Sequence, residues 1–192
     1  MFDFELVGLQ KMAKGYNPVK FDREFNRQLT DSARKARTLV SRQVRLRYNV
    51  KAGLLGGGKL SAVKIKVARG RRILLYRSTM LGLDKMSAKK VAVSSARGKR
   101  YGVNVTVKKG QRSRVKGGFL GKSRNRRNTF VFKRVVDSQG NTQKTRNGRD
   151  QLERLFTISV AHMVGQTPIA ENGREIFLHF EQGFAKRLKK IG

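Results

Sequence analysis

The strongest hydrophobic periodicity in the chain predicts a long helix from Val19 to about Arg47. Apolar residues recur there at spacings of three and four, which places them on one stripe of an α-helix. The stripe comprises Phe21, Phe25, Leu29, Ala33, Ala36, Val40 and Val44. A second helical pattern begins at Ile169, and its stripe comprises Ile176, Phe177, Phe180, Phe184 and Leu188. Asp150 is a suitable N-cap for a further helix that we expect to continue through Met163.

Alternating apolar and polar residues predict several strands between these helices. The predicted strands are Ser61–Arg69, Ile73–Tyr76, Lys90–Ser95, Tyr101–Val107 and Thr129–Val136, with a short strand or arm at Phe2–Leu9. In the fourth of these, Val103, Val105 and Val107 are expected to point inward. The glycine-rich stretch Lys51–Leu60 is expected to be a flexible loop. Short turns between strands favour an antiparallel sheet, and a length of 192 residues favours a single domain over 1–192.

Positive charge is concentrated in the middle of the chain. The sequence holds 45 Lys and Arg against 12 Asp and Glu, a formal net charge of +33. Between Ser32 and Arg149 there are 34 Lys or Arg and only two acids, Asp84 and Asp137. Self-repulsion on this scale opposes a compact state unless counter-charge is supplied. Nucleic acid, an acidic membrane surface or the acidic face of a neighbouring subunit could each supply it.

The segment Lys108–Asn128, here called the basic arm, is the most strongly charged part of this region. It holds nine Lys or Arg, four Gly and no acid. We expect either a long β-hairpin tip or a loop that becomes ordered only against a partner. The residues predicted to contact a partner or DNA are Lys108, Lys109, Arg112, Arg114, Lys116, Lys122, Arg124, Arg126 and Arg127.

The chemistry of an enzyme is poorly represented. Gly53–Leu60 resembles a phosphate-binding loop but lacks Ser or Thr after its lysine, and in Gly117–Ser123 the first glycine is one residue too close to the second. Cysteine is absent, and the two histidines, His162 and His179, lie among apolar neighbours on predicted helices. We therefore expect no enzyme activity, no catalytic residue, no cofactor and no metal site.

The remaining binding classes differ in what they require. Zinc-ligand spacing and an aromatic single-strand platform are both missing from the sequence, so any nucleic-acid binding is expected to involve phosphates and to be independent of base sequence. No apolar run approaches 18 residues, so we expect no membrane span. The first ten residues carry acids where a signal peptide carries positive charge, so no secretion signal is expected.

The layout resembles the prophage minor tail protein Z family, the tail completion proteins of long-tailed phages. The basic run Lys108–Gly118, set between strands and preceded by a long N-terminal helix, is the most particular point of similarity. The opening short strand and Gly8–Gln10 also fit. So does the strand Thr129–Val135, which leads through a polar turn to RDQLERLFTISVAHMVGQ. The resemblance covers most of the chain through its pattern, without an invariant signature.

This resemblance implies an α+β fold, with a long N-terminal helix and C-terminal helices packed on a small antiparallel β-sheet. It also implies a virion structural protein, made in the host cytoplasm, that forms a hexameric ring at the head-proximal end of the tail. The implied partners are a tail terminator or tail tube protein, neck or connector proteins, and double-stranded DNA through its phosphates, but no membrane. The alternative is a sequence-independent nucleic-acid-binding protein of the ribosomal or nucleoid type, which such charge density also suits.

Overall fold

A computed structural model describes residues 13–56, 62–68, 70–93, 100–122, 128–168 and 172–191. The chain divides into two compact units. The helical unit comprises Met1–Gln43, Ala52–Arg77 and Val164–Gly192, and the sheet unit comprises Val44–Lys51 and Ser78–Met163. The single domain predicted over 1–192 stays a prediction. The strand or arm predicted at Phe2–Leu9 lies outside the described residues.

The described elements are helices at the two ends of the chain and short strands between them. The helices are α1 Pro18–Arg47, α2 Ala52–Leu55, α3 Val160–Gly165 and α4 Asn172–Leu188, and Leu83–Lys85 forms a 3₁₀ turn. The strands are β1 Val63–Ala68, β2 Arg71–Tyr76, β3 Met80–Gly82, β4 Lys89–Val93, β5 Arg100–Val105, β6 Ser113–Val115, β7 Gly118–Lys122, β8 Thr129–Arg134, β9 Leu152–Arg154 and β10 Phe156–Ser159.

Helix α1 begins at a well-formed cap and buries the predicted stripe. The side-chain oxygen of Asn17 accepts hydrogen bonds from the backbone N–H groups of Val19 (3.1 Å) and Lys20 (3.3 Å), and Pro18 occupies the first helical position. The buried residues of the stripe are Phe21, Ala33, Ala36, Val40 and Val44, while Phe25 and Leu29 are half-buried. The long N-terminal helix predicted from the periodicity is confirmed.

Aromatic packing joins α1 to α4 inside the helical unit. Phe21 and Phe184 meet edge to face with ring centroids 5.4 Å apart, and Phe25 contacts Phe180 in the same way at 5.7 Å. Leu188 completes this cluster of buried residues. Ile176, Phe180, Phe184 and Leu188 of the predicted stripe are buried and Phe177 is half-buried, so the stripe is confirmed as the packed face of α4. The predicted start of this helical pattern, Ile169, lies outside the described residues.

Strands β1 and β2 form an antiparallel hairpin in the helical unit. Its register runs from Val63 opposite Tyr76 to Ala68 opposite Arg71. Gly70 lies in the turn with φ +68°, a conformation that residues with a Cβ rarely adopt. Leu74 of β2 packs against the apolar cluster that α1 and α4 form.

The sheet unit contains two three-stranded antiparallel sheets, with strand orders β4-β5-β6 and β7-β8-β9, and the pair β3-β10. Its buried core comprises Leu83, Val103, Val105 and Val131. The inward orientation predicted for Val103 and Val105 is confirmed, and Val107 packs partly buried against the same core. Together the elements show a mixed α+β fold of long helices and small antiparallel sheets.

The helix predicted from Asp150 to Met163 is wrong over most of its length. Residues 152–154 form β9 and residues 156–159 form β10, and only Val160–Gly165 is helical. Strand β9 pairs with β8, placing Arg154 opposite Phe132, while β10 pairs with β3. The free backbone of β8 thus offers hydrogen bonds that override the local helical pattern. Asp150 caps no helix and instead forms ion pairs with Arg134 and Lys144.

The glycine-rich loop predicted at Lys51–Leu60 is partly helical, since residues 52–55 form α2. Leu55 is almost fully buried, at 1% exposure, which gives this short helix a packing contact that the glycine pattern did not indicate. Residues 57–60, which complete the predicted loop, lie outside the described part of the chain.

Candidate polyanion-binding surface

Among the described residues of the helical unit, five cations form ion pairs with acids of the same unit, namely Arg23, Arg27, Arg34, Lys35 and Arg187. Arg187 of α4 donates to Glu24 at 3.1 Å, to Asp31 at 2.7 Å and to the side-chain oxygen of Gln28 at 3.0 Å. Burial raises the pKa of Glu24, but hydrogen bonds from Arg187 and Arg27 outweigh it and hold that pKa below its ordinary value of 4.5. Arg187 therefore acts as a cross-link between α1 and α4.

The same pattern extends along the open groove of about 590 Å³ beside this cross-link. Arg34 pairs with Asp31 at 3.1 Å, on the same face of α1. Arg72 from β2 donates to the hydroxyl of Thr30 at 3.0 Å and to the carbonyl of Asn26 at 3.1 Å. The groove is rich in arginine, and these guanidinium groups already donate hydrogen bonds within the unit, Arg34 and Arg187 to carboxylates and Arg72 to neutral oxygens.

The sheet unit carries a larger excess of positive charge than the helical unit. The sequence over its residues holds 24 Lys or Arg and four acids, a formal net charge of +20, against 21 and eight, or +13, in the helical unit. Most of the acids of the sheet unit are engaged locally. Asp84 pairs with Arg154 at 3.0 Å, Asp150 with Arg134 at 2.8 Å, and the carboxylate of Asp137 accepts the backbone N–H of Asn141 at 2.8 Å. Little negative charge is left for the basic arm.

The described part of the basic arm is built into the sheets of this unit. Lys108 forms an isolated antiparallel bridge with Tyr48, and the backbone N–H of Lys109 donates to the carbonyl of Arg47 at 2.9 Å. Beyond a turn at Gly110, β6 pairs with β5 and places Arg114 opposite Asn104. Strand β7 then pairs with β8. Backbone hydrogen bonds therefore fix the positions of the Cα atoms that carry these cationic side chains.

The six described cations of the arm face solvent. They are Lys108, Lys109, Arg112, Arg114, Lys116 and Lys122. Within the part of the chain that the structure describes, none of them forms an ion pair with a carboxylate. Arg124, Arg126 and Arg127 lie outside the described residues. Six of the nine predicted contact residues thus lie on one unit with their charge unneutralised.

Two arginines of the sheet unit contact aromatic rings in addition to their carboxylate partners. The guanidinium of Arg154 lies 3.8 Å from the centroid of Phe130, and that of Arg134 lies 5.2 Å from the centroid of Phe119. Gly121 allows the strands to approach, because a Cβ there would lie 2.8 Å from the ring of Phe132. Phe119, within the basic arm, and Phe130, just after it, therefore contact arginine side chains.

Sequence reasoning missed the cation Lys89, which lies before the basic arm in the chain. Strand pairing places Lys89 opposite Asn104, and both line a polar cleft together with Lys109 and Arg112. The sequence predicted that neighbouring strands pair in an antiparallel sheet, but it did not predict the register that brings Lys89 next to Asn104.

Comparison with known proteins finds no matching family model, no matching curated protein and no matching solved structure. Among the described residues no group of three or more His, Cys, Asp or Glu side chains is arranged to hold a metal ion. Of the helices that the structure describes, none combines the length and apolar character needed to cross a bilayer.

Proposed function

We propose that the chain is a tail completion protein of a long-tailed phage, a virion structural protein that joins the tail tube to the neck. In this proposal six copies form a ring at the head-proximal end of the tail. The resemblance to the prophage minor tail protein Z family supplies the identity. The α+β fold, with its long first helix and its C-terminal helix, agrees with that family's expected layout.

The observation that carries the proposal is the unpaired positive charge of the basic arm. Six arm cations are exposed without a described carboxylate partner, whereas Arg187 in the helical unit bonds two acids. A closed ring multiplies the +33 of one subunit by the number of copies, so it needs an external polyanion or acidic neighbours. A genome passing through the lumen, or an acidic adjoining ring, meets this requirement.

The experiment that tests the proposal is light scattering on the nuclease-treated protein at low and high salt, alone and with purified tail tubes. We expect either a discrete ring or assembly when tail tubes are added. Nuclease treatment is essential, because bound nucleic acid would otherwise mimic an oligomer. A protein that stays monomeric and ignores tail tubes in both salt conditions would contradict the proposal.

The alternative function is a sequence-independent nucleic-acid-binding protein of the ribosomal or nucleoid type, which the same exposed cations favour. It predicts a monomer that binds duplexes tightly, with an affinity that falls steeply as salt rises. The two functions separate in one comparison: a connector assembles with tail components in the absence of nucleic acid, and a nucleic-acid-binding protein of this type does not.

A further inference from the structure

The sheet unit contains a polar cleft of about 240 Å³ with a cationic rim. Its charged lining residues are Lys89, Lys109 and Arg112. Its neutral polar lining includes Asn49, Ser87 and Asn104, and none of the carboxylates that the structure describes lines it. This composition contrasts with the arginine-rich groove of the helical unit, where Asp31 lies among the cations.

The neutral wall of the cleft is fixed by the side chain of Asn49. Its amide nitrogen donates to the hydroxyl oxygen of Ser87 at 2.8 Å and to the carbonyl of Thr106 at 3.0 Å. Ser87 has φ +50°, a left-handed conformation that costs a residue with a Cβ about 1 kcal/mol or more. Because the Ser87 hydroxyl oxygen accepts from Asn49, its own hydrogen is available to donate into the cleft.

The cationic wall comes from two other segments. Lys89 is the first residue of β4, and Lys109 and Arg112 flank the turn at Gly110, where φ is +77°. The backbone bond from Lys109 to Arg47 anchors this turn to the end of α1. All three cations are exposed, and none has an ion-pair partner among the residues that the structure describes.

We propose that this cleft binds a phosphate group of the backbone of double-stranded DNA. Cations and a hydroxyl from two segments, residues 87–89 and 109–112, line the cleft, which suits the diverging oxygens of a tetrahedral phosphate better than the two coplanar oxygens of a carboxylate. Arginine supplies a fork of N–H donors, and the lysines supply point charges. The inference rests on the proposed function to the extent that the ring lumen is what presents duplex DNA to this surface.

The direct test compares two double variants of the full chain that remove equal charge from the same arm. Lys109→Gln with Arg112→Gln alters the cleft, while Lys116→Gln with Lys122→Gln alters exposed lysines of the arm that neither line it nor pair with a lining residue. Binding of a short labelled duplex is measured by anisotropy across a salt series. The cleft variant should lose roughly tenfold more affinity than its control, and its log–log salt slope should fall by about one, the contribution of one phosphate. Equal losses would overturn the proposal, because they would show that only total charge matters.

A second pair covers the possibility that the first cleft variant folds poorly. Lys89→Gln removes a cleft cation from a different segment, and Lys90→Gln is its control. Lys90 is the next residue of β4, and its ammonium lies 3.6 Å from the centroid of the Tyr101 ring, away from the cleft lining. We expect Lys89→Gln to weaken duplex binding several-fold more than Lys90→Gln. Equal effects would again overturn the proposal.

Inorganic phosphate distinguishes DNA from a small phosphorylated ligand. Thermal unfolding is measured in phosphate and in chloride at equal ionic strength, with and without duplex. Phosphate should stabilise the native protein, should stabilise the Lys109→Gln/Arg112→Gln variant less, and should compete with duplex. Stabilisation by phosphate together with duplex binding that is insensitive to both cleft variants would overturn DNA as the source of the phosphate.

Assembly on tail tubes, measured for the same variants, separates this inference from the proposed function. If the native protein assembles but the cleft and control variants bind duplex equally, the cleft proposal fails and the connector function stands. If the native protein never assembles while duplex binding still depends specifically on the cleft, the connector function fails and the phosphate site stands.

Discussion

The two units use the same residue types in different ways. In the helical unit Arg187 bonds Glu24 and Asp31 across two helices, and Lys35 pairs with Glu175 at 2.9 Å. In the sheet unit Arg112 and Arg114 face solvent with no described carboxylate beside them. The difference teaches that a count of basic residues does not identify a binding surface, since an arginine bonded to its own fold has little capacity left for a partner.

The energetics of the two units differ for the same reason. Exposed ion pairs contribute only about 0–1 kcal/mol each, so the helical unit depends chiefly on its buried phenylalanines. The sheet unit has a small aliphatic core around Val103, Val105 and Val131, and its like charges repel one another. We therefore expect stability to be most sensitive in the helical unit and polyanion affinity in the sheet unit.

The largest expected effect is that of Phe184→Ala. Phe184 is 5% exposed and contacts the rings of Phe21, Phe25 and Phe180. Truncating it leaves a cavity and should lower the free energy of unfolding by about 4 kcal/mol. Chemical denaturation measures this loss. At temperatures where the variant is folded its duplex affinity should be unchanged, and a parallel fall in affinity would break the proposed separation of the two units.

Gly183→Ala should have the next largest effect. A Cβ at Gly183 would lie 2.2 Å from the amide nitrogen of Gln28, which is buried and donates to the carbonyl of His179 at 3.1 Å. The lost hydrogen bonding, partly offset by the better helix propensity of alanine, should cost about 1–2 kcal/mol. Gly53→Ala is the control, because nothing lies within 4 Å of its Cβ position. Thermal unfolding should show no loss for the control, and equal losses would contradict this account of Gln28.

Tyr76→Phe should stabilise the helical unit. The hydroxyl of Tyr76 is buried and has no hydrogen-bond partner among the residues that the structure describes, and burial raises its pKa to about 12. The folded pKa lies above the ordinary value of 10.0, so above pH 10 Tyr76 ionises more readily in the unfolded chain than in the native protein. The free energy of unfolding of the native protein should therefore be constant with respect to this group below pH 10 and fall as pH rises toward 12. The variant should gain about 1 kcal/mol at neutral pH and show a flatter alkaline limb.

Denaturant titrations across this pH range measure both effects on Tyr76. Tyr101→Phe is the control, since Tyr101 is 53% exposed and its hydroxyl can reach water. Its stability and its alkaline profile should match those of the native protein. A destabilised Tyr76→Phe variant would mean that the Tyr76 hydroxyl has a hydrogen-bond partner in solution.

The smallest expected effects are on the stability of variants with altered surface charge. Arg114→Gln with Lys116→Gln should leave the free energy of unfolding within about 0.5 kcal/mol of the native value. At low salt the change should be stabilising, because the double substitution removes two unpaired like charges. Arg34→Gln breaks the pair with Asp31 and should destabilise the protein by up to about 0.5 kcal/mol. Added salt should reduce both differences, and the same sign for both variants would erase the contrast between the units.

The sequence predicted the elements whose own pattern decides their structure. The stripe of α1 and the inward Val103 and Val105 follow directly from apolar spacing, since burying those side chains requires that geometry. Residues 152–159 were predicted wrongly because their strand conformation depends on the backbone of β8 and β3, which local periodicity does not contain. Likewise, no short stretch of the sequence specifies which distant strands pair with one another.

The candidate site was predicted only in part for a related reason. The basic arm is visible as a run of charge, but Lys89 joins it only through the pairing of β4 with β5. The structural role of Arg187 was also hidden, because its acid partners lie on α1, at the other end of the sequence. Charge counting locates cations, whereas only the fold shows which of them already have partners.

Hydrogen exchange measured by mass spectrometry, with and without duplex DNA, tests the central claim most directly. If the unpaired cations of the sheet unit bind the polyanion, DNA should slow exchange at residues 86–90 and 104–122 and leave residues 18–43 and 172–188 unchanged. Protection that falls equally on the helical segments, or only on them, would contradict the assignment of polyanion binding to the sheet unit.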